Sequence, residues 1–523
     1  MVGIPRSRAC KPCRARRKKC DEQKPICGLC IKRGVECVYK TDLNIVYVNP
    51  GAHVARSRES SKSSSPGSTG SDENSLFDLP PSCLASAIQL QIRGNLAEGY
   101  LSRNVRPTAS TAWLYAINED SLNDPLLDDA LRALSLSCLE HQDASGQISH
   151  RSREMYGKTI RRLNTRLETT EEAMADTTLA AVMILLSFET YTATQQNLTG
   201  WFSHAKGASQ LVKMRGNKNA SSGIAQQLYL GSRMWQLICG IGQRKAITNA
   251  AAPPPQTYTG LFASYSMLFD ILFTMLAIME QADIVNAMLE NMETQNADSA
   301  ISILSYMFQN FESNLDGWYD QLLQNESDGD EQKLFWLEHS YLSDQLPLES
   351  PQRVYSTYMH FQNLDIGEQL ILYWGFSLLT HLLIYKTELN IRSRTSLTIS
   401  LYSTDASRQA SLTKQHLCAD RITQSLEYFL NYGVSAVAVS FLGVPMNVAF
   451  GYWAQYDLPQ RRWFELIFER LRSTHRGYGS LMAEMAQKGG GGEGFRAAIG
   501  KTPKAELNTE RLRSNLQRSQ YTC

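Results

Sequence analysis

Cys10-Lys11-Pro12-Cys13-Arg14-Ala15-Arg16-Arg17-Lys18-Lys19-Cys20-Asp21-Glu22-Gln23-Lys24-Pro25-Ile26-Cys27-Gly28-Leu29-Cys30-Ile31-Lys32-Arg33-Gly34-Val35-Glu36-Cys37 is the stretch on which the reading of this chain turns. It is an internal repeat: Cys10-x2-Cys13-x6-Cys20 recurs seventeen residues later as Cys27-x2-Cys30-x6-Cys37. Two three-thiol units this close together point to metal. Thiolates bind zinc tightly, and structural zinc takes four ligands in a closed tetrahedron. Six thiolates cannot complete two separate tetrahedra, but they can if two sulfurs bridge two zinc ions. Two alternatives are weaker. A single-zinc ribbon on both CxxC pairs strands Cys20 and Cys37. A disulfide scaffold needs an oxidising compartment, and residues 1–8 hold no apolar run of the signal-peptide kind.

The residues between the cysteines predict a polyanionic partner. Five of the six positions between Cys13 and Cys20 are cationic, whereas the gap between Cys30 and Cys37 holds two cations and one acid. Residues 1–40 contain twelve Lys and Arg against three Asp and Glu, a net charge of +9. The 523-residue chain is +1, so the remainder carries −8. Six thiolates with two Zn2+ absorb two of those positive charges. The surplus is a basic patch on a small head, and phosphate is the usual partner of such a patch. A nuclear-import signal is the alternative use of the same run, and the two uses are compatible.

The run from Cys10 to Cys30 resembles the binuclear zinc cluster (Zn2Cys6) DNA-binding domain of fungal transcription factors. The six cysteines, the basic run before Cys20, Asp21 after it and Pro25 before Cys27 all fit that pattern. The resemblance implies that Cys10 and Cys27 are the bridging thiolates, that Cys13 and Cys20 complete one zinc site, and that Cys30 and Cys37 complete the other. It implies short CGG-type half-sites in double-stranded DNA. By position, Arg16 and Arg17 are then the base readers, Arg17 foremost, through guanine O6 and N7. Arg14, Lys18, Lys19 and Lys24 would hold phosphates. Forty residues cannot fold on apolar burial alone, so zinc must supply the folding free energy.

Residues 41–82 are expected to be a flexible linker, Ser-rich at its centre around Ser63-Ser64-Ser65-Pro66-Gly67-Ser68. No heptad pattern follows the cysteines, so the head either binds half-sites as a monomer or relies on a homodimer made by the large domain. Ser71–Leu79 is acidic and apolar, readable as an activation motif or as a linker end docking on the next domain.

Residues 83–485 are expected to be an all-α domain, with residues 486–523 a flexible tail. Apolar residues recur at helical spacing in Asp176–Tyr191. Helices are also predicted over Leu126–Glu140, Arg151–Glu168, Gly200–Met214, Leu261–Ala282 and Ser411–Tyr432. Leu370–Tyr385 and Leu261–Ile278 read as buried helices, and no membrane span is expected. Asp128-Asp129-Ala130-Leu131-Arg132-Ala133-Leu134-Ser135, Tyr156-Gly157-Lys158, Thr178-Leu179-Ala180-Ala181-Val182 and Trp201-Phe202-Ser203-His204-Ala205-Lys206-Gly207-Ala208 resemble the fungus-specific regulatory domain that accompanies these zinc clusters. That resemblance implies control of activity, sometimes through a small-molecule effector.

No P-loop, HExxH or nucleophile elbow is present, and Gly240-Ile241-Gly242 lacks the rest of a nucleotide fingerprint. Enzymatic activity is not expected. His204 reads as a packed, hydrogen-bonded histidine, and Cys138, Cys239 and Cys418 as core thiols. The expected function is that of a nuclear, sequence-specific transcription factor acting with RNA polymerase II and the transcription machinery on a metabolic or secondary-metabolite gene set. A zinc-dependent adaptor acting through protein partners is the rival reading.

Overall fold

The computed structural model describes residues 12–13, 16, 18, 20–21, 27–33, 94, 106–117, 123–139, 146–192, 199–220, 223–247, 258–291, 294–394, 400–431, 436–456 and 459–474. The chain divides into two compact units, Met1–Phe77 and Asp78–Cys523. The expected linker centre and C-terminal tail lie outside the described residues.

Among its described residues the first unit holds the short helix α1 (Gly28–Ile31), and Pro12 and Cys13 are also helical. The second unit is mostly helical. It runs α2 (Ala112–Tyr115), α3 (Pro125–Ser137), α4 (Gln147–Arg166), α5 (Thr170–Ala173), α6 (Asp176–Thr192), α7 (Thr199–Arg215), α8 (Gly223–Gln243), α9 (Gly260–Glu290), α10 (Thr294–Ser327) and α11 (Glu331–Leu334). Strand β1 (Phe335–His339), α12 (Tyr341–Asp344) and strand β2 (Thr357–Phe361) follow. Helices α13 (Leu364–Arg394), α14 (Asp405–Asn431), α15 (Ala436–Tyr456) and α16 (Gln460–Thr474) come next among the described residues.

Local signals set several boundaries. Asp124 caps α3, its side chain accepting from the backbone N–H of Leu126 and Leu127, with Pro125 at the first helical position. Gly146 precedes α4 with φ of 73°, a left-handed conformation that glycine adopts without strain. Helix α6 is apolar on all sides, and every residue from Thr178 to Glu189 is buried. Such a helix belongs in the middle of a core.

Two hydrophobic clusters fill this unit. One gathers α3, α4, α6 and α7, the other runs from α9 to α16. Helix α8 is shared: Leu228, Tyr229 and Trp235 lie in the first cluster, Leu230, Met234 and Leu237 in the second. The Gly240-Ile241-Gly242 run lies inside this helix. A Cβ on Gly240 would sit 2.3 Å from Leu276 Cδ1, so the glycine serves helix packing rather than phosphate binding. Helix α9 is long and apolar enough to cross a membrane by length and composition. Its buried face, including Leu268, Phe269, Leu272, Met275 and Met279, packs in the second cluster, as the core-helix reading anticipates.

Motif residues around the first cluster meet one another. Lys158 Nζ lies 3.0 Å from Asp129 Oδ1, and Arg162 also binds the Asp129 carboxylate, tying α4 to α3. Tyr156 OH donates to Glu189 Oε1 (2.5 Å) and lies 3.0 Å from His204 Nε2, joining α4, α6 and α7. Burial pushes the His204 pKa down to about 4, so the ring is neutral at physiological pH. Cys138, Cys239 and Cys418 are buried, and burial pushes the thiols of Cys239 and Cys418 up to about 11.

The second unit is mostly helical, as expected, and holds one small sheet among the described residues. β1 and β2 form a two-stranded antiparallel sheet with Phe335 opposite Phe361 and Leu337 opposite Met359. Phe335-Trp336-Leu337 and Thr357-Tyr358-Met359 are rich in strand-forming side chains. Phe361 packs against Trp374, Tyr428 and Phe429, so the sheet is held from the α13–α14 side.

The segment 106–117 is pinned to the start of α13. Ala109 N donates to Asp365 Oδ1 (3.0 Å) and Ser110 Oγ to Glu368 Oε2 (2.9 Å). Burial pushes the pKa of Glu368 up to about 8. The folded chain therefore keeps a proton there that the unfolded chain loses above its ordinary carboxylate range. Stability from the neutral form is complete at acid pH and is lost as pH rises toward 8. Glu368→Gln is expected to stabilise the chain at pH 8, by on the order of a few kcal/mol, and to have little effect near pH 4.5. Thermal melts at the two pH values check this; equal shifts at both would mean that charge at Glu368 is not the cause.

Candidate metal centre and its basic flank

The head folds around its sulfurs. The Sγ atoms of Cys13, Cys20 and Cys27 all lie within 4.8 Å of one another. Cys13 and Cys27 are 3.7 Å apart, sulfur to sulfur. Two sulfurs on one tetrahedral zinc, each about 2.3 Å from the metal, are separated by about 3.8 Å. Cys13, Cys27 and Cys30 are buried and Cys20 is half-buried. A cluster of cysteine thiols drawn from both halves of the repeat is a donor set that fits zinc.

Local hydrogen bonds make this convergence. After Cys13 the chain makes one turn, with Arg16 N donating to Pro12 O (3.3 Å). It closes by a longer loop, Lys18 N to Cys13 O (3.0 Å). In the second half Cys27 is extended and α1 starts directly after it. Cys30 N donates to Cys27 O (2.9 Å) and Lys32 N to Gly28 O (3.0 Å). The halves are joined by Asp21, whose Oδ2 accepts from Gly28 N at 2.8 Å. A Cβ on Gly28 would come 2.7 Å from that oxygen, so a larger residue there must displace the Asp21 carboxylate. Sequence reasoning noted Asp21 as part of a pattern and missed its partner. The signal was present as a glycine directly after Cys27.

The flank is cationic and faces solvent. Arg16 and Lys18, from the turn between Cys13 and Cys20, are exposed, as are Lys32 and Arg33 after α1. Of the residues singled out from the sequence, Cys13, Cys20, Cys27, Cys30, Arg16 and Lys18 are described. The structure brings the first three sulfurs together. Cys10, Cys37, Arg14, Arg17, Lys19 and Lys24 lie outside the described residues.

Comparison with known proteins agrees with this chemistry. Residues 8–44 match the family described as the fungal Zn(2)-Cys(6) binuclear cluster domain. Residues 105–272 match the fungal specific transcription factor domain. Over 40 residues, 8% of this chain and 8% of the relative, it is 57% identical to an uncharacterized transcriptional regulatory protein of Schizosaccharomyces pombe. Over 134 residues, 25% of this chain and 28% of the relative, it is 26% identical to an uncharacterized protein of Emericella nidulans. The chain thus spans under a third of either relative. No solved structure matches. The cluster domain implies two zinc ions bound by cysteines. Both families are those of transcription factors, which are not enzymes, and together they support a fungal DNA-binding transcription regulator.

Proposed function

We propose that this chain, which carries a fungal Zn(2)-Cys(6) cluster domain followed by a fungal specific transcription factor domain, is a sequence-specific nuclear regulator of RNA polymerase II genes. It reads CGG-type half-sites and controls a metabolic or secondary-metabolite gene set. One observation carries the reading: a buried thiol cluster built from both halves of the repeat, with cations exposed on the turn between two of its ligands. In the assignment we favour, residues 1–40 bind DNA, 41–82 link, 83–485 regulate and 486–523 form a tail. Cys10 and Cys27 bridge the zinc ions, Cys13 and Cys20 close one site, and Cys30 and Cys37 close the other. Arg16 and Arg17 read bases, while Arg14, Lys18, Lys19 and Lys24 hold phosphates. The helical domain transmits control to the transcription machinery, with a small-molecule effector as its input.

The division of labour among the cations is testable. A bidentate contact to guanine discriminates one base pair, whereas a phosphate contact weakens binding on every sequence alike. Arg17→Ala is expected to cost about 1–3 kcal/mol of discrimination at one base pair of the half-site. Lys18→Ala is expected to weaken all duplexes equally and to reduce the salt dependence of binding. Titration of the zinc-loaded chain against matched and single-substituted duplexes at two salt concentrations decides it. A uniform loss for Arg17→Ala makes that residue a phosphate contact. Equal binding of every duplex by the unaltered chain ends the sequence-specific reading.

A further inference from the structure

Strand β1 presents an open edge. Gln362 N donates to Leu334 O (2.9 Å) and Ser340 N to Ser356 O (3.0 Å), one pair beyond each end of the β1–β2 ladder. Bonded and non-bonded pairs alternate in an antiparallel ladder. The bonded pairs between them are therefore 336 with 360 and 338 with 358. It follows that the N–H and C=O groups of Phe335, Leu337 and His339 point away from β2. Among the described residues no hydrogen bond reaches the outward groups of Leu337 or His339. The opposite edge of the sheet is covered: Gln424 of α14 donates to Thr357 O (3.2 Å).

The one formally charged side chain on this edge strand is Glu338. Phe335–His339 contains no lysine, arginine or proline, and native edge strands are commonly blunted by such residues. Leu337 at its centre is 57% exposed, and Tyr341, two residues past the strand, is 61% exposed. Unpaired outward backbone groups on an exposed edge are a template for another strand.

We propose that β1 pairs with β1 of a second copy of this chain, antiparallel across a two-fold axis at Leu337. The strand is self-complementary in that register. Leu337 meets its own copy in a bonded pair, and the outward C=O of Phe335 accepts from the N–H of His339 in the second copy, the Phe335 N–H being already held by Glu331 O. Trp336 falls opposite Glu338, repeating across the axis a contact each chain already makes, Trp336 Nε1 to Glu338 Oε1 at 2.9 Å. The register offsets the two Glu338 carboxylates from each other. The result is a continuous four-stranded sheet. The pairing rests on the strand alone; its use, presenting two zinc heads to one DNA, rests on the DNA-binding reading.

The full chain tests the register directly. A bonded antiparallel pair has its Cα atoms about 5.5 Å apart, inside the disulfide range of about 4.4–6.8 Å. Leu337→Cys is expected to form a covalent dimer under mild oxidation, beyond any formed by the unaltered chain. His339→Cys is expected not to, because its two copies would lie about 13 Å apart along the strands. Leu337→Pro removes the outward donor and none of the β1–β2 ladder bonds, a change edge strands tolerate. It is expected to raise the dimer dissociation constant at least tenfold in sedimentation velocity. A monomeric unaltered chain at tens of micromolar, equal cross-linking by both cysteine variants, or undiminished dimerisation of Leu337→Pro would each overturn the proposal. Binding to a duplex with a single half-site separates the two readings. Cross-linking without DNA binding leaves the pairing standing and removes the DNA-binding reading, and the reverse result does the opposite.

Discussion

Replacing Cys27 by serine is expected to release both zinc ions and unfold the head, whereas Cys13→Ser should leave one site occupied. The argument is an inventory of ligands. Two tetrahedral sites need eight ligand positions and the repeat supplies six thiols, so two sulfurs serve twice. Cys27 is fully buried and stands within 4.8 Å of both Cys13 and Cys20, which belong to the other half of the repeat. In the assignment proposed above Cys27 is one of the two bridging thiolates, so its loss takes a ligand from both sites. Structural zinc in small domains supplies about 10–16 kcal/mol of apparent binding free energy. Few large apolar side chains are present in residues 1–40 to replace it. Zinc counted per chain by metal analysis after exposure to a weak chelator gives the readout. The expected values are two for the unaltered chain, about one for Cys13→Ser and none for Cys27→Ser. One tightly held zinc remaining in Cys27→Ser would remove the bridge. Cys239→Ser, a buried thiol of the helical unit, is the control and should retain both ions.

What could be read from the sequence follows from how far each signal reaches along the chain. The thiol cluster was legible because six cysteines fall within 28 residues at fixed spacing. The helices were legible where apolar positions repeat every three to four residues, as in the stretch that becomes α6. Predicted helix ends missed by a few residues where the determinant was a single backbone feature. Gly146 starts α4 ahead of the predicted Arg151, and α9 runs on to Glu290 because no breaker interrupts it after Ala282. The strands escaped notice because Phe335-Trp336-Leu337-Glu338-His339 does not alternate in polarity. Its pattern reflects an edge with apolar residues on both faces. The joint between Asp21 and Gly28 and the latch of Ser110 on Glu368 pair residues by tertiary geometry, which leaves no periodic trace.

The same holds for Arg215, the basis of the second large effect. It ends α7 within the span that matches the fungal specific transcription factor domain, and nothing in Lys213-Met214-Arg215-Gly216 marks it as more than a surface cation. The structure buries it at 3% exposure. Its Nε donates to Asn219 Oδ1 (3.1 Å), one Nη to Met174 O (2.7 Å), and the other pairs with the carboxylate of Asp176. One planar fork thus closes the end of α7, the turn after α5 and the start of α6. Asn219 in turn donates to Val212 O (2.9 Å), so the knot is continuous. Arg215→Met keeps the stem and removes every donor. It leaves the Met174 carbonyl and the Asn219 side chain short of partners in a dry site. The expected cost is about 3 kcal/mol, the lower end for a broken buried ion pair, because Asp176 is one-third exposed and can take water. Arg215→Lys should lose most of the same stability, since an ammonium cannot reach three acceptors spread around a guanidinium. Asp176→Asn should lose about 1 kcal/mol, leaving two of the three contacts intact. Urea midpoints of the three variants order the effects. If Arg215→Lys matches the unaltered chain, charge alone sustains this junction and the fork geometry does not.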